Sequence, residues 1–279
     1  MNRRLTHGPS EFYIMKKATL PKKQMEIAYD EAGSGPPLVL LHGFPLDKSM
    51  WQPQLAGLSS THRVLAPDYP GFGDSSPTTE GFTVESLAEE VADFLDATGI
   101  TGAVTLAGLS MGGYIALAFA RQHPERLRAL ILADTRAEPD DETAKASRDV
   151  MAELARQEGA GAVIGKMLPK LVAEPSSAVA ETVKQIGTRQ QVESIVHALQ
   201  ALKERPDATP GLAAITVPTL IIVGEKDAIT PPAMAETLAS HIIGSTLVKI
   251  PGAGHMSNLE APDAFNNAVR TFLKGERGS

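Results

Sequence analysis

Apolar and polar positions follow two periods along this chain. Met25, Ile27 and Tyr29 alternate with Glu26, Ala28 and Asp30, the period of a strand with one buried face. After the break Gly33-Ser34-Gly35-Pro36-Pro37 comes a continuous apolar run, Leu38–Leu41, as expected of a strand covered on both faces. Similar runs recur at Val104–Leu109, Leu127–Ala133 and Thr219–Val223, with weaker ones at Arg63–Ala66 and Thr246–Ile250. Between them the period changes. Val84, Leu87, Ala88, Val91, Phe94 and Leu95 share one helical face, with Glu85, Glu89, Glu90, Asp93 and Asp96 on the other. Gly112–Arg121 and Pro262–Leu273 also read as helices. Strands alternating with helices predict an α/β fold, a mostly parallel doubly wound sheet whose first strands form an antiparallel edge.

One stretch breaks the rhythm. From about Glu138 to Pro206 the sequence is helix-compatible throughout, including Thr143–Glu158, Val179–Ile186 and Val192–Lys203. The strand-like Thr219–Val223 then resumes the earlier pattern. This predicts a helical cap, residues 138–210, inserted into a core formed by residues 23–137 and 211–279. Residues 1–22 are expected to be a leader, disordered in part.

Composition narrows the chemistry. A chain of 279 residues is long enough to bury a large core without staples. It has no Cys, so disulfides, thiolate nucleophiles and Cys-ligated metals are excluded. A net charge of −7 disfavours a nucleic-acid backbone as partner. No run approaches the roughly 18–20 apolar residues of a membrane span, so no membrane partner is expected. The basic N-terminus is not followed by a signal-type apolar run, and a cytoplasmic location is expected.

The sharpest motif is Gly108-Leu109-Ser110-Met111-Gly112-Gly113, between an apolar run and an Ala-rich helix. G-x-S-x-G in strand–turn–helix context forms a tight elbow that presents the serine hydroxyl at the C-terminal edge of the sheet. Glycines flank it because side chains there would collide with neighbouring elements. Ser110 then needs a base. Of seven histidines, His255 is the one on a glycine-flanked loop (Gly252-Ala253-Gly254-His255-Met256) after the last strand. His42 opens the turn His42-Gly43-Phe44-Pro45, and the remaining five lie in the leader, in helices or at the wrong end of the sheet. The base needs an acid to hold its tautomer. Asp227 follows the strand Thr219–Val223, and the chain order Ser110, Asp227, His255 suits this fold; Asp134, after Leu127–Ala133, is the second candidate. A developing oxyanion needs N–H donors. The backbone of Met111 supplies one, and Phe44 N–H the other, since Pro45 cannot donate.

With these residues in view, the chain resembles the α/β-hydrolase superfamily over residues 24–275. The resemblance is carried by His42–Pro45, Asp68–Ser75 (read as a structural loop), the Ser110 elbow, Asp227 and His255. Small carboxylesterases and 3-oxoadipate enol-lactonase-like hydrolases are the nearest types. Relatives that use an aspartate nucleophile, haloalkane dehalogenases and epoxide hydrolases, are disfavoured by Ser110. No Phe, Tyr or Trp occurs between residues 120 and 264, so the cap lacks the tyrosines of an epoxide hydrolase. The resemblance implies a serine hydrolase acting on a small-molecule carboxylic ester or lactone, with no metal and no cofactor. A haloperoxidase or perhydrolase relative with the same triad, and a ligand receptor of the same fold with little turnover, stay open. The oligomeric state also stays open. Leu46, Ile229 and Met256 from loops, with Met151, Met167 and Leu171 from the cap, are expected to line an aliphatic, adaptable pocket. Nothing marks a charged site for a polar acid, and Arg136, just past a strand end, is the one cation worth testing.

Overall fold

The computed structural model describes residues 13–20, 22–78 and 80–275. The apolar runs become the strands of an eight-stranded sheet. They are β1 (Ile14–Leu20), β2 (Met25–Ala32), β3 (Pro37–Leu41), β4 (Arg63–Pro67), β5 (Val104–Leu109), β6 (Leu127–Ala133), β7 (Thr219–Gly224) and β8 (Thr246–Ile250). Their spatial order is β1-β2-β4-β3-β5-β6-β7-β8. β1 and β2 run antiparallel, as do β2 and β4; every later pairing is parallel. This is the α/β-hydrolase arrangement, with an antiparallel N-terminal edge.

Central strands β5 and β7 are buried at every position, which is why they read as unbroken apolar runs. Helices cover both faces: α1 (Gln52–Leu58), α2 (Val84–Ala97), α3 (Met111–Gln122), α8 (Pro232–His241), the short α9 (Ser257–Glu260) and α10 (Pro262–Gly275). Thr83 caps α2 by accepting from Ser86 N, and Ser86 Oγ accepts from Thr83 N in return. The buried Leu87, Val91, Phe94 and Leu95 of α2 lie on the face that the sequence period marked. Between β6 and β7 the chain makes four helices, α4 (Glu142–Glu158), α5 (Ala160–Leu171), α6 (Ala178–Thr188) and α7 (Val192–Glu204). At the base of this insertion the two chain crossings are joined, Ala208 N donating to Ala137 O at 3.0 Å. Among the described residues no helix is long and apolar enough to cross a membrane.

The leader expected over residues 1–22 is corrected. Residues 14–20 form β1, paired along its length with β2. Lys16 and Lys17 hid it, but both are exposed and pair with Glu31 and Glu26 at 3.0 and 2.9 Å, and only Ala18 and Leu20 of the strand are buried. Residues 1–12 lie outside the described residues. Helix α5 is an addition to the sequence reading: Gly161, Gly165 and Pro169 weaken its helical signal, and the apolar Val163, Ile164 and Leu171 form it by burial.

Candidate active site

Parallel strands deliver their loops to one edge of the sheet, and four of those loops meet there. β5 ends in the elbow. Ser110 sits at φ 55°, ψ −115°, a backbone state that costs a non-glycine residue about 1–3 kcal/mol and persists only where its surroundings over-determine it. Here they do. Ser110 N donates to Ala133 O at 2.9 Å, and Thr135 Oγ1 donates to Ser110 O at 2.9 Å. The glycines of the elbow allow close backbone approach. A Cβ on Gly108 would lie 2.1 Å from Gly112 O, and one on Gly112 would lie 2.2 Å from Leu41 O.

From the loop between β8 and α9, His255 Nε2 accepts from Ser110 Oγ at 2.9 Å. With its proton on Nδ1, His255 donates to Asp227 Oδ2 at 2.8 Å. Asp227 stands in the loop after β7, held as an Asx turn: Ile229 N and Thr230 N donate to its Oδ1 at 2.8 and 2.9 Å, and Thr230 Oγ1 donates to Oδ2 at 2.8 Å. Both Asp227 and His255 are buried. Burial pushes the Asp227 carboxyl up, but His255 and the Thr230 bonds hold it below the ordinary carboxylate range. Burial opposes the His255 imidazolium, but Asp227 outweighs it and raises that pKa overall.

Asp134 is brought close without joining this chain of contacts. It accepts from Gly224 N at 2.8 Å and from Ser257 Oγ. Burial, then the charge of Asp227, pushes its pKa up to about 8.

The fourth loop follows β3. The Cβ position of Gly43 lies 3.4 Å from Ser110 Cβ, so the turn carrying Phe44 packs directly on the serine. Met111 is the first residue of α3, where backbone N–H groups have no intrahelical partner. His42 explains how the turn is held. Its Nδ1 donates to Gly43 O at 3.1 Å and its Nε2 accepts from Tyr69 N at 3.2 Å. Complete burial lowers its pKa to about 4, so it is a neutral structural imidazole. The Asp68–Ser75 loop backs this turn: Asp68 accepts from Lys48 N at 2.7 Å, from Lys48 Nζ at 2.6 Å and from Asp74 N at 2.9 Å.

The expected pocket residues divide. Leu46, Leu171 and Met256 are buried in one apolar cluster, with Ile229 and Met167 packed against it. Met151 packs against the opposite cluster. Leu171 also touches the histidine loop, its carbonyl accepting from Met256 N at 3.0 Å. Arg136 pairs with Asp140, donating to it at 2.6 Å, while its Nε has no hydrogen-bond partner among the described residues and the side chain lines a cavity behind α3. That cavity, of ≈ 350 Å³, lies between Tyr114, Ala118, Arg205 and Leu212, and contains none of the expected pocket residues.

The sequence does not single out Thr230, Asp47 or Arg189, and Glu260 reads there only as a residue near the start of the last helix. Glu260 accepts from Gly254 N at 2.9 Å and from Ala173 N at 2.7 Å, tying the histidine loop to the insertion. A Thr three residues after a loop Asp was the one local signal available.

Fold and loop placement together define the class. The family model for the alpha/beta hydrolase fold matches residues 36–262, and this chain belongs to that family. Within it, the chain is 31% identical to 3-oxoadipate enol-lactonase 2 of Acinetobacter baylyi over 264 residues, covering 92% of this chain and 97% of that one. It is 31% identical to the pimeloyl-[acyl-carrier protein] methyl ester esterase of Neisseria meningitidis, over 85% of this chain and 93% of that one. Among solved structures, the thermophilic esterase from Thermogutta terrifontis superposes with TM-score 0.90 at 40% identity, covering 94% and 99% of the two chains. The relatives are named as hydrolases, which supports hydrolase chemistry here.

Proposed function

We propose that this protein is a serine hydrolase that cleaves uncharged carboxylic esters or lactones through an acyl-serine intermediate. The contact that carries the reading is the buried relay from Asp227 through His255 to Ser110, at 2.8 and 2.9 Å. Ser110 Oγ attacks the carbonyl carbon while its proton passes to His255 Nε2. Asp227 stays ionised and stabilises the imidazolium. The negative oxygen of the tetrahedral intermediate is held by the backbone N–H groups of Phe44 and Met111. The carbon–oxygen bond to the alcohol breaks, and His255 returns the proton to that oxygen. Water then attacks the acyl-serine, giving one proton to His255, and the carboxylic acid leaves as Ser110 recovers its hydrogen. Residues 138–210 act as a cap over the site.

Two observations favour uncharged substrates. Leu46, Leu171 and Met256 are apolar and buried, and Arg136 is charge-paired with Asp140 and lines a cavity that contains none of these three. The named relatives, a lactonase and two esterases, agree with ester-type chemistry.

Exposure to a fluorophosphonate followed by intact mass spectrometry tests the nucleophile. One adduct is expected on the wild type and none on Ser110→Ala; equal labelling would overturn the assignment. A parallel panel of neutral esters of graded chain length, lactones and carboxylated enol-lactones then tests the substrate class. Turnover restricted to the carboxylated compounds would contradict the preference for uncharged ones.

A further inference from the structure

We propose that Arg189 is a positioning residue for this reaction, reaching from the helical insertion to hold the Gly43–Asp47 turn, and with it the Phe44 amide, beside Ser110. The inference rests on the serine-hydrolase reading above.

The carboxylate of Asp47 is completely buried, at 0% exposure. Five hydrogen bonds replace its water. Ser49 N and Oγ donate to it at 3.0 and 2.6 Å, and Gln190 Nε2 at 2.7 Å. Arg189 supplies the other two, Nε to Oδ2 at 2.8 Å and one terminal N–H to Oδ1 at 2.7 Å, a bidentate fork. Arg189 follows α6 and stands 142 residues from Asp47 in the chain. The nearby cation on the core side, Lys48, is engaged by Asp68 and Asp74, so Arg189 is the charge that matches Asp47. Burial alone would raise the Asp47 pKa; Arg189 holds it at about 2.

Asp47 is mechanically joined to Phe44. It caps the short 3-10 turn Lys48–Trp51. Leu46 N donates to Gly43 O at 3.0 Å, and Gly43 N contacts Met50 Sδ at 3.3 Å. Residues 43–50 therefore move as one closed turn, and Gly43 is the part that packs on Ser110.

The insertion itself does not need Arg189 to stay docked. Ser194 Oγ donates to Gly71 O at 2.7 Å, Gly73 N to Gln190 Oε1 at 3.1 Å, and Met256 N to Leu171 O at 3.0 Å. The Arg189 side chain is 53% exposed, so its packing contribution is small. Its loss leaves a buried, unmatched carboxylate that is relieved when the turn swings toward solvent.

The test is steady-state kinetics of Arg189→Met on an ester that Ser110 hydrolyses. The kcat should fall about 10- to 100-fold, the scale set by a displacement of about 1 Å at a catalytic group. KM should change by less than about threefold, as for an interaction made only in the transition state. Affinity for an alkyl boronic acid, whose serine adduct places an oxygen between the two amides, should fall in parallel with kcat. Arg189→Lys should recover part of both, and Asp47→Asn combined with Arg189→Met should be no worse than Arg189→Met alone. Arg156→Met, which removes an exposed ion pair with Glu153 on α4, should change neither. An unchanged kcat, or a fall matched by the fraction unfolded by circular dichroism at the assay temperature, overturns the inference. A wild type that neither labels at Ser110 nor hydrolyses esters overturns the serine-hydrolase reading and this inference with it.

Discussion

Asp227 Oδ2 and His255 Nδ1 stand 2.8 Å apart, and both side chains are closed off from solvent. In that setting neither group keeps its ordinary proton affinity. The imidazolium is opposed by burial but favoured more by the carboxylate, so the His255 pKa is raised.

A base must be neutral to accept the Ser110 proton, so kcat/KM for a neutral ester should rise with pH as His255 deprotonates. The midpoint should lie above the ordinary imidazole range. Asp227→Asn removes the charge that raises it, so the limb should move to lower pH while kcat drops by about 10⁴. A wild-type midpoint below that of free imidazole would contradict the electrostatics.

Asp134 should behave differently from Asp227. With a pKa of about 8 it is largely protonated at neutral pH. Asn keeps an acceptor for Gly224 N, and its NH2 can donate to the Ser257 hydroxyl, which turns from donor to acceptor. Asp134→Asn should therefore keep kcat/KM within about tenfold of wild type. Should Asp134→Asn abolish turnover while Asp227→Asn does not, the two acids have been assigned in reverse.

Gly112→Ala should destabilise the fold by about 1–3 kcal/mol or more, because the new Cβ meets rigid backbone. It would fall 2.2 Å from Leu41 O and 3.0 Å from His42 O. Urea titration should show a lower midpoint, and fluorophosphonate labelling of Ser110 should slow. Gly102→Ala, with nothing within 4 Å of its Cβ position, is the matched control and should leave both unchanged.

Asp140 joins core and insertion. It is buried and accepts from Arg136, Arg148 and Arg205 at 2.6, 2.9 and 2.8 Å. Burial opposes its charge, but the bonds from Arg205 and Arg148 bring its pKa down to about 2. Asp140→Asn should cost about 3–5 kcal/mol, since it leaves the buried Arg205, and the partly buried Arg136 and Arg148, without their shared counter-charge. A pKa lower in the folded than in the unfolded chain means that the stabilisation is complete above the ordinary carboxylate range. It should be lost as pH falls from about 4 to about 2. Urea midpoints measured between pH 6 and pH 3 should draw closer for wild type and variant toward the acid end; a constant gap would rule the titration out.

Much of this was readable from local sequence. The elbow was legible because strand, glycine turn and helix are contiguous, and each glycine there reports a backbone approach. Asp227 and His255 were legible because both follow apolar runs, and a parallel sheet places such loops at one edge. Strand β1 was obscured because its first half is exposed on both faces, and α5 because glycine and proline interrupt its period.

What the chain alone determined was therefore the alternation of elements, which serine, histidine and aspartate the loops carry to one edge of the sheet, and the absence of thiol chemistry. Tertiary structure alone decided that Asp134 is a buried, proton-holding neighbour of Asp227, that His42 is a neutral brace, and that Arg136 is taken by Asp140. It also decided that Arg189 reaches Asp47 across 142 residues. The physical reason is the range of the forces involved. Turn chemistry and side-chain period act over a few residues and are written in the local sequence. Burial, and the pairing of charges that burial compels, depend on which distant segments close over a group, and that is known only once the chain has folded.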